Sequence, residues 1–157
     1  MPVIQTSLQI HAPIERIFDL SRSIDLHIAS TAHTGERAVA GVTSGLISLG
    51  EEVTWRARHF GIWQELTSRI SQYNRPHHFR DSLVRGAFRH FDHDHYFETD
   101  GAITTMKDVF DFESPFGILG LVVNHLVLER YMRRLLEKRN EVIKEVAESE
   151  KWRTYLL

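Results

Sequence analysis

Residues 51–113 form a succession of short segments in which apolar and polar side chains alternate, and this feature most restricts the fold. A period of two is typical of strands with one buried face. Tight turns are indicated at Phe60 and Gly61 and at Asp100 and Gly101, the second pair being a strong hairpin signal. Strands joined by such short turns run antiparallel. The alternation predicts strands at 51–59, 62–73, 79–85, 91–99 and 103–113.

The segments on either side of this region supply further strands and the helices. Val3–Ile10 alternates in the same way and predicts a first strand. Two short helices follow it, the second at Ile24–Ser30, and a short strand is predicted at 36–39. Ser114 and Pro115 can cap and open a final helix that runs to about residue 149 with one apolar stripe. A sheet with one apolar face needs a cover, and this long helix is the candidate, so the fold class is α+β.

The composition fits one domain, residues 1–157, and excludes several classes of protein. Nineteen lysines and arginines against 21 aspartates and glutamates give a net charge of −2, which offers nothing to attract a nucleic acid. The absence of cysteine excludes disulfides, thiolate metal sites and thiol nucleophiles. The longest apolar run, 118–128, is shorter than the roughly 20 residues that a bilayer span needs. Because no signal-peptide pattern is visible, we expect a cytoplasmic location and no transmembrane segment.

Ten histidines are many for a chain of 157 residues, and five of them lie between His77 and His95. Strand alternation places His93 and His95 in phase with Phe91 and Phe97, on the face that should be buried. The same argument puts four more ionisable or amide groups on the inner face: His59, Gln64, Asp81 and Asp108. Burying such a group without a partner costs about 1–3 kcal/mol. These side chains therefore either form His–Asp hydrogen bonds and wet strand ends, or line a partly polar cavity that holds a small molecule.

Two kinds of chemistry fit this pattern. His93 and His95 have a spacing that zinc sites use, and His59, Asp81 or Asp108 could complete the ligand set. With ten histidines available such a pair also arises by chance, so we expect no metal ion and no cofactor. Alternatively, His93 or His95 beside Asp108 could act as a general acid or base. The sequence has no Gly-x-Ser-x-Gly elbow and no glycine-rich phosphate loop, which argues against nucleophilic and nucleotide-dependent chemistry.

Four segments resemble the START-related, polyketide cyclase-like helix-grip superfamily (SRPBCC), and within it a bacterial ligand-binding branch. They are HAPIERIF at 11–18, GEEVTWRARHFG at 50–61, FDHDHYF at 91–97 and SPFG at 114–117. The resemblance spans nearly the whole chain. It implies an antiparallel sheet of about seven strands wrapped around the long C-terminal helix, with a cavity between them for an apolar or amphipathic ligand. The wall positions that it implies are His59, Gln64, Asp81, His93, His95 and Asp108; it transfers no catalytic residues.

We therefore expect a helix-grip domain that binds a small hydrophobic or amphipathic molecule. Two alternatives remain: an enzyme of the cyclase or dehydratase type that uses a cavity histidine with an aspartate partner, and a regulatory domain that recognises a protein through the long helix or the C-terminal tail. Residues 117–123 are apolar nearly all round the predicted helix, which favours burial in the grip of the sheet. The alternative is an apolar entrance to the cavity, faced by a flap made of Leu46, Ile47 and Leu49. The apolar tail from Trp152 onwards can dock on the body of the protein or on a partner, which leaves a homodimer open.

Overall fold

Seven strands and four helices make up the computed structural model, which describes residues 3–113 and 125–157. The strands are β1 Val3–Ile10, β2 Arg37–Gly41, β3 Glu52–His59, β4 Ile62–Asn74, β5 His78–Gly86, β6 His90–Thr99 and β7 Thr104–Glu113. The helices are α1 Ile14–Ser21, α2 Ile24–Ser30, α3 His125–Ala147 and α4 Trp152–Leu156, with a 3₁₀ turn at Ala32–Thr34. The α+β class and the predicted order of elements are confirmed. Two predictions lie outside the described residues: the start of the long helix at Ser114 and Pro115, and the placement of the apolar segment 117–123.

The strands form one sheet in the order β1-β7-β6-β5-β4-β3-β2, and every neighbouring pair is antiparallel. In its middle, Asp81 of β5 lies opposite His93 of β6, which lies opposite Phe110 of β7. The next row of opposed residues in the same three strands is Phe79, His95 and Asp108. Because directly opposed side chains point to the same face, the sheet itself gathers two histidines and two aspartates.

The β3–β4 hairpin closes through the predicted turn at Phe60 and Gly61. Both residues have positive φ, 52° and 76°, as a two-residue type I′ turn requires. Phe60 is the non-glycine residue of this pair, and its ring packs against Tyr131 of α3, with centroids 4.5 Å apart. The hairpin is therefore held against the helix at this end of the sheet. Farther along β4 the register against β5 shifts twice, and such bulges bend a strand towards the element that it covers.

The apolar core consists of two clusters of buried side chains. The larger joins α1 and α2 to the C-terminal half of α3, where Ile143 is 2% exposed. At its centre the ring of Phe18 meets three other rings edge-on: Tyr73, Phe79 and Phe97. The smaller cluster joins Leu136 of α3 to Phe110 and Phe112 of β7. Helix α3 thus covers the sheet, as the sequence predicts.

The C-terminal tail packs on the body of the protein. The guanidinium of Arg16 in α1 lies 4.2 Å from the ring centroid of Trp152 in α4. Trp152, Tyr155 and Leu156 pack against the larger cluster, whereas Leu157 is exposed. Of the two destinations left open for the tail, the structure shows the body, so the homodimer stays a prediction without this support. Within the described ranges, no helix has the length and apolar character needed to cross a membrane.

Candidate functional site

His93 and His95 lie side by side on the inner face of β6. Their ring centroids are 3.9 Å apart, and the two residues are 7% and 2% exposed. Phe79 of β5 stacks on the outer side of the His95 ring, with centroids 4.2 Å apart and an interplanar angle of 15°. Phe110 of β7 meets His93 edge-on at 5.2 Å. The two imidazoles are therefore held in place by aromatic rings on either side, and the contacts of their nitrogens determine how they can bind protons.

A carboxylate stands on each side of this histidine pair. Oδ1 of Asp108 is 3.0 Å from Nε2 of His93 and 3.0 Å from Nδ1 of His95. The contact with His95 lacks hydrogen-bond alignment, and this buried nitrogen has no hydrogen-bond partner among the described residues. Oδ1 of Asp81 is 2.8 Å from Nε2 of His95 and 3.7 Å from Nδ1 of His93. Each ring thus directs one nitrogen towards Asp108 and the other towards Asp81.

Asp108 is completely buried and is held from the side of α3. Asn140 donates to Oδ2 of Asp108 at 2.5 Å, and the hydroxyl of Thr6 donates to the same oxygen at 3.3 Å. The guanidinium of Arg139 lies 4.0 Å from Oδ1 and donates to the backbone carbonyl of Ser21 at 2.9 Å. Helix α3, strand β1 and helix α1 therefore all converge on the carboxylate that supports the histidine pair.

The charges in this cluster are set by burial and by the short contacts. Burial alone would raise the pKa of Asp108, but its histidine contacts hold that pKa well below the ordinary value. Burial lowers the pKa of His93, and the neighbouring His95 lowers it further. Burial would also lower the pKa of His95, but Asp108 and Asp81 raise it above the ordinary value. The arrangement favours an ionised Asp108 and a neutral His93, with His95 as the ring that carries a second proton.

The cluster opens onto a cavity of about 310 Å³ between the sheet and α3. Most of its wall is aliphatic or aromatic, and Trp55, Leu66, Phe91 and Met132 are examples. Of the residues predicted as a flap, Ile47 lines this cavity and is 4% exposed, whereas Leu49 is 57% exposed. Leu46 forms an isolated bridge with Ser23. Of these three residues Ile47 lines the cavity, and the flap itself stays a prediction, because the segment that it would face lies outside the described residues.

A second polar group lies on the cavity wall near the start of α3. Nδ1 of His59 is 2.6 Å from the hydroxyl of Tyr131, and burial lowers the pKa of this histidine. Glu36 forms an ion pair with His27 and accepts a hydrogen bond from Thr31 at 3.2 Å. Burial would raise the pKa of Glu36, but the His27 contact holds it below the ordinary value. Tyr131 in this group and Arg139 beside Asp108 are eight positions apart on α3, which is about 12 Å along the helix. The cavity therefore has two distinct polar regions.

No family model matches the chain, and no curated protein matches it significantly in sequence. Solved structures do match over nearly the full length. A START superfamily protein from Mycobacterium smegmatis has a TM-score of 0.70 at 10% identity, with 93% of this chain and 97% of that chain covered. The Zhui aromatase/cyclase from Streptomyces sp. R1128 has a TM-score of 0.73 at 14% identity, covering 94% and 93%. Major latex-like protein 151 from Panax ginseng has a TM-score of 0.67 at 14% identity, covering 94% and 98%.

The chain has the helix-grip fold. The resemblance stated from the sequence is confirmed at the level of the fold, and the seven-stranded sheet with its long C-terminal helix agrees with it. In this helix-grip domain, five of the six predicted wall residues do line the cavity: His59, Gln64, Asp81, His93 and His95. Asp108 does not, because it lies behind the histidines with no exposed surface. Its predicted place on the wall is corrected to a supporting place beneath it.

Sequence reasoning missed two helical residues of the site. Arg139 is 7% exposed and Asn140 is 3% exposed, although both are polar residues in a charged stretch of α3. The signal was present: with Leu136 and Ile143 these residues follow the three-and-four spacing of the buried stripe of α3. The ion pair of Glu36 and the hydroxyl of Tyr131 had no comparable signal, because only the tertiary fold brings them to the cavity.

Proposed function

We propose that this helix-grip domain binds one small, largely apolar molecule in the cavity between the sheet and α3, with a polar group of that molecule at Asp81, His93 and His95. The observation that carries the proposal is the cavity itself, whose apolar wall is interrupted at one end by this buried ionisable cluster. Its volume of about 310 Å³ falls at the lower end of the range of ligand pockets. An apolar pocket with a few convergent polar groups is the usual form of a small-molecule site.

The polar region sets what the bound molecule must carry. Asp81 has a 22% exposed side chain and lies on the wall, so it can accept a hydrogen bond from a ligand hydroxyl. His95, as the ring with the raised pKa, directs Nε2 to Asp81 at 2.8 Å, and a carbonyl or carboxylate oxygen of the ligand would share that donor. An amphipathic molecule with one oxygen-bearing end therefore complements the site better than a pure hydrocarbon.

The experiment compares two alanine-to-leucine variants with a fluorescent amphipathic probe, 1-anilinonaphthalene-8-sulfonate. Ala57 lines the cavity and is 3% exposed, so Ala57→Leu places three additional carbon atoms inside it. Ala40→Leu makes the same change at an exposed position of the edge strand β2. We expect the first variant to bind the probe at least about tenfold more weakly and the second to bind within twofold of the wild type. Equal affinities for all three proteins, with thermal unfolding unchanged, would contradict the proposal.

A second candidate function is catalysis of the cyclase or dehydratase type. The observation that favours it is the 2.8 Å contact between Nε2 of His95 and Asp81, facing the cavity, because a histidine oriented by a carboxylate can move protons. The aromatase/cyclase with a similar fold adds a likeness of fold to this argument. The assay is turnover of a linear poly-β-ketone. Loss of turnover with retained binding in His95→Gln would support the enzyme, whereas binding without turnover in the wild type would support the carrier.

A further inference from the structure

We propose that Asp81, His93 and His95 hold one divalent first-row transition-metal ion at the wall of the cavity. Each residue offers one ligand atom, and the three atoms lie within 4.8 Å of one another. The site comes from the register of the sheet. Asp81 of β5 lies directly opposite His93 of β6, and His95 follows two residues farther along on the same face of β6. The inference replaces the expectation of no metal ion that came from the sequence. It uses the residues to which the proposed function assigns the polar group of the ligand, but it does not require that function, because the three side chains can bind the ion with or without a molecule in the cavity.

The distances are those of a site that can close around an ion. Bonds of about 2.0–2.2 Å to nitrogen and oxygen place neighbouring ligand atoms about 3.0–3.5 Å apart in tetrahedral or octahedral geometry. Oδ1 of Asp81 is 2.8 Å from Nε2 of His95 and 3.7 Å from Nδ1 of His93. These two separations bracket the required value. The third separation, between the two histidine nitrogens, is no more than 4.8 Å, so the rings must close towards each other by side-chain rotation to complete the geometry.

Asp108 supplies the support that histidine ligands of metals normally have. A metal-bound imidazole usually directs its other ring nitrogen to a carboxylate or carbonyl, which fixes the ring. Here Nε2 of His93 and Nδ1 of His95 both lie 3.0 Å from Oδ1 of Asp108, and their opposite nitrogens face Asp81. Asp108 is itself held by Asn140 and Thr6. The buried carboxylate thus orients His93 by a hydrogen bond and lies as a charge beside Nδ1 of His95.

Charge and donor type indicate the class of ion. A bound ion displaces the second proton of His95, because a ligating imidazole must be neutral. Asp81 and Asp108 then carry two negative charges and the nearby Arg139 carries one positive charge, so a divalent cation is electrostatically favoured. Two imidazoles and a carboxylate suit zinc, iron(II), cobalt(II) and nickel(II), whereas calcium and magnesium prefer oxygen ligands. Three protein ligands leave further coordination positions, and these face the cavity, where an oxygen of a bound molecule can reach the ion.

The test uses untagged protein that has been stripped with a chelator and then titrated with zinc against a chromophoric chelator, and separately with cobalt(II) followed by its d–d absorption. We expect one equivalent of each ion to bind. Asp81→Asn should weaken binding at least about tenfold, and Asp108→Asn should weaken it about 10–100-fold because it removes the carboxylate that orients His93 and lies beside His95. His77→Gln and His90→Gln are the matched controls, since both histidines are exposed and lie outside the cavity. Both controls should bind within twofold of the wild type.

Several results would overturn the site. The wild type decides first: a folded protein that binds neither ion with saturation contradicts the proposal, whatever the variants do. Undiminished binding in Asp81→Asn, or binding that disappears in His77→Gln or His90→Gln, would assign the ion to surface histidines. The binding of 1-anilinonaphthalene-8-sulfonate to the stripped protein tests the cavity separately, so failure of the metal site and failure of the proposed function are distinguishable.

Discussion

Replacing Asp108 by asparagine should destabilise the whole fold, because this carboxylate is where the sheet and the long helix meet. Its oxygens accept hydrogen bonds from His93, Asn140 and Thr6 with no exposed surface. Asparagine keeps one acceptor and turns the other into an NH₂ group that faces N–H or O–H donors. Loss of a hydrogen bond to a charged acceptor costs about 1.5–3 kcal/mol, and a buried donor left unpaired costs about 1–3 kcal/mol. We expect a total of about 3–5 kcal/mol, the range found when a buried ion pair is broken.

The assay is thermal and urea unfolding followed by circular dichroism near pH 7 with a chelator present. For a chain of this length the expected loss corresponds to a fall in Tm of roughly 6–20 °C. Asp111→Asn is the matched control: it lies three residues along the same strand, and its buried Oδ1 has no partner among the described residues. This control should stay within about 0.5 kcal/mol of the wild type. If Asp108→Asn lowered the free energy of unfolding by less than about 1 kcal/mol, the hydrogen bonds of Asp108 would not be the source of stability that we infer.

Two further changes test the parts of the fold that surround the site. Asp19 accepts hydrogen bonds from Arg75 and Arg22; burial alone would raise its pKa, but these contacts lower it below the ordinary value of 3.8. The ionised Asp19 should therefore add roughly 1 kcal/mol to the free energy of unfolding above pH 3.8, and this contribution should disappear as the pH falls below that value. The free energies of urea unfolding of Asp19→Asn and of the wild type should differ at pH 6 and become equal near pH 2. Phe18→Ala removes the ring on which Tyr73 and two other aromatic residues pack, and should cost about 3–5 kcal/mol by the same measurement. A cost below about 1.5 kcal/mol would mean that the core collapses around the missing ring.

The elements of the fold could be predicted because their signals are local. Alternation set the strands, and the observed bounds differ from the predicted ones by one or two residues, as at β2 and at the end of α3. The hairpin at Phe60 and Gly61 was predicted from the residues alone and is confirmed by two positive φ angles. A period of two also places His93 and His95 on the inner face, because the face of a strand is fixed once its phase is known.

The depth and pairing of the site could not be predicted in the same way. Alternation tells which face a side chain occupies, but it does not tell whether that face meets a cavity or another element. Asp108 illustrates the difference. It lies on the predicted inner face of β7, but Asn140 of α3 packs against it, so it is completely buried and is not part of the cavity wall. Arg139 was missed for a different reason: Glu137 and Lys138 just before it are charged and exposed, whereas its own position lies on the buried stripe of α3. Both outcomes depend on how the helix crosses the sheet, and this is set by contacts between residues that are far apart in the sequence.

A purely structural role explains only part of the histidine cluster. The Asp108 contacts with His93, Asn140 and Thr6 are those of a closed network, and such a network can fix a unique packing of helix on sheet. His95 does not fit that explanation, because its Nδ1 is buried with no aligned partner among the described residues. A partly satisfied network is less stable than an apolar core, so stability alone would favour a leucine or phenylalanine here. Asp81 lies on the cavity wall with Oδ1 2.8 Å from Nε2 of His95 and 3.7 Å from Nδ1 of His93, and the packing of helix on sheet does not require a carboxylate there. This arrangement supports the proposal that the cluster is a binding site, with Asp108 beneath the histidines and Asp81 on the cavity wall.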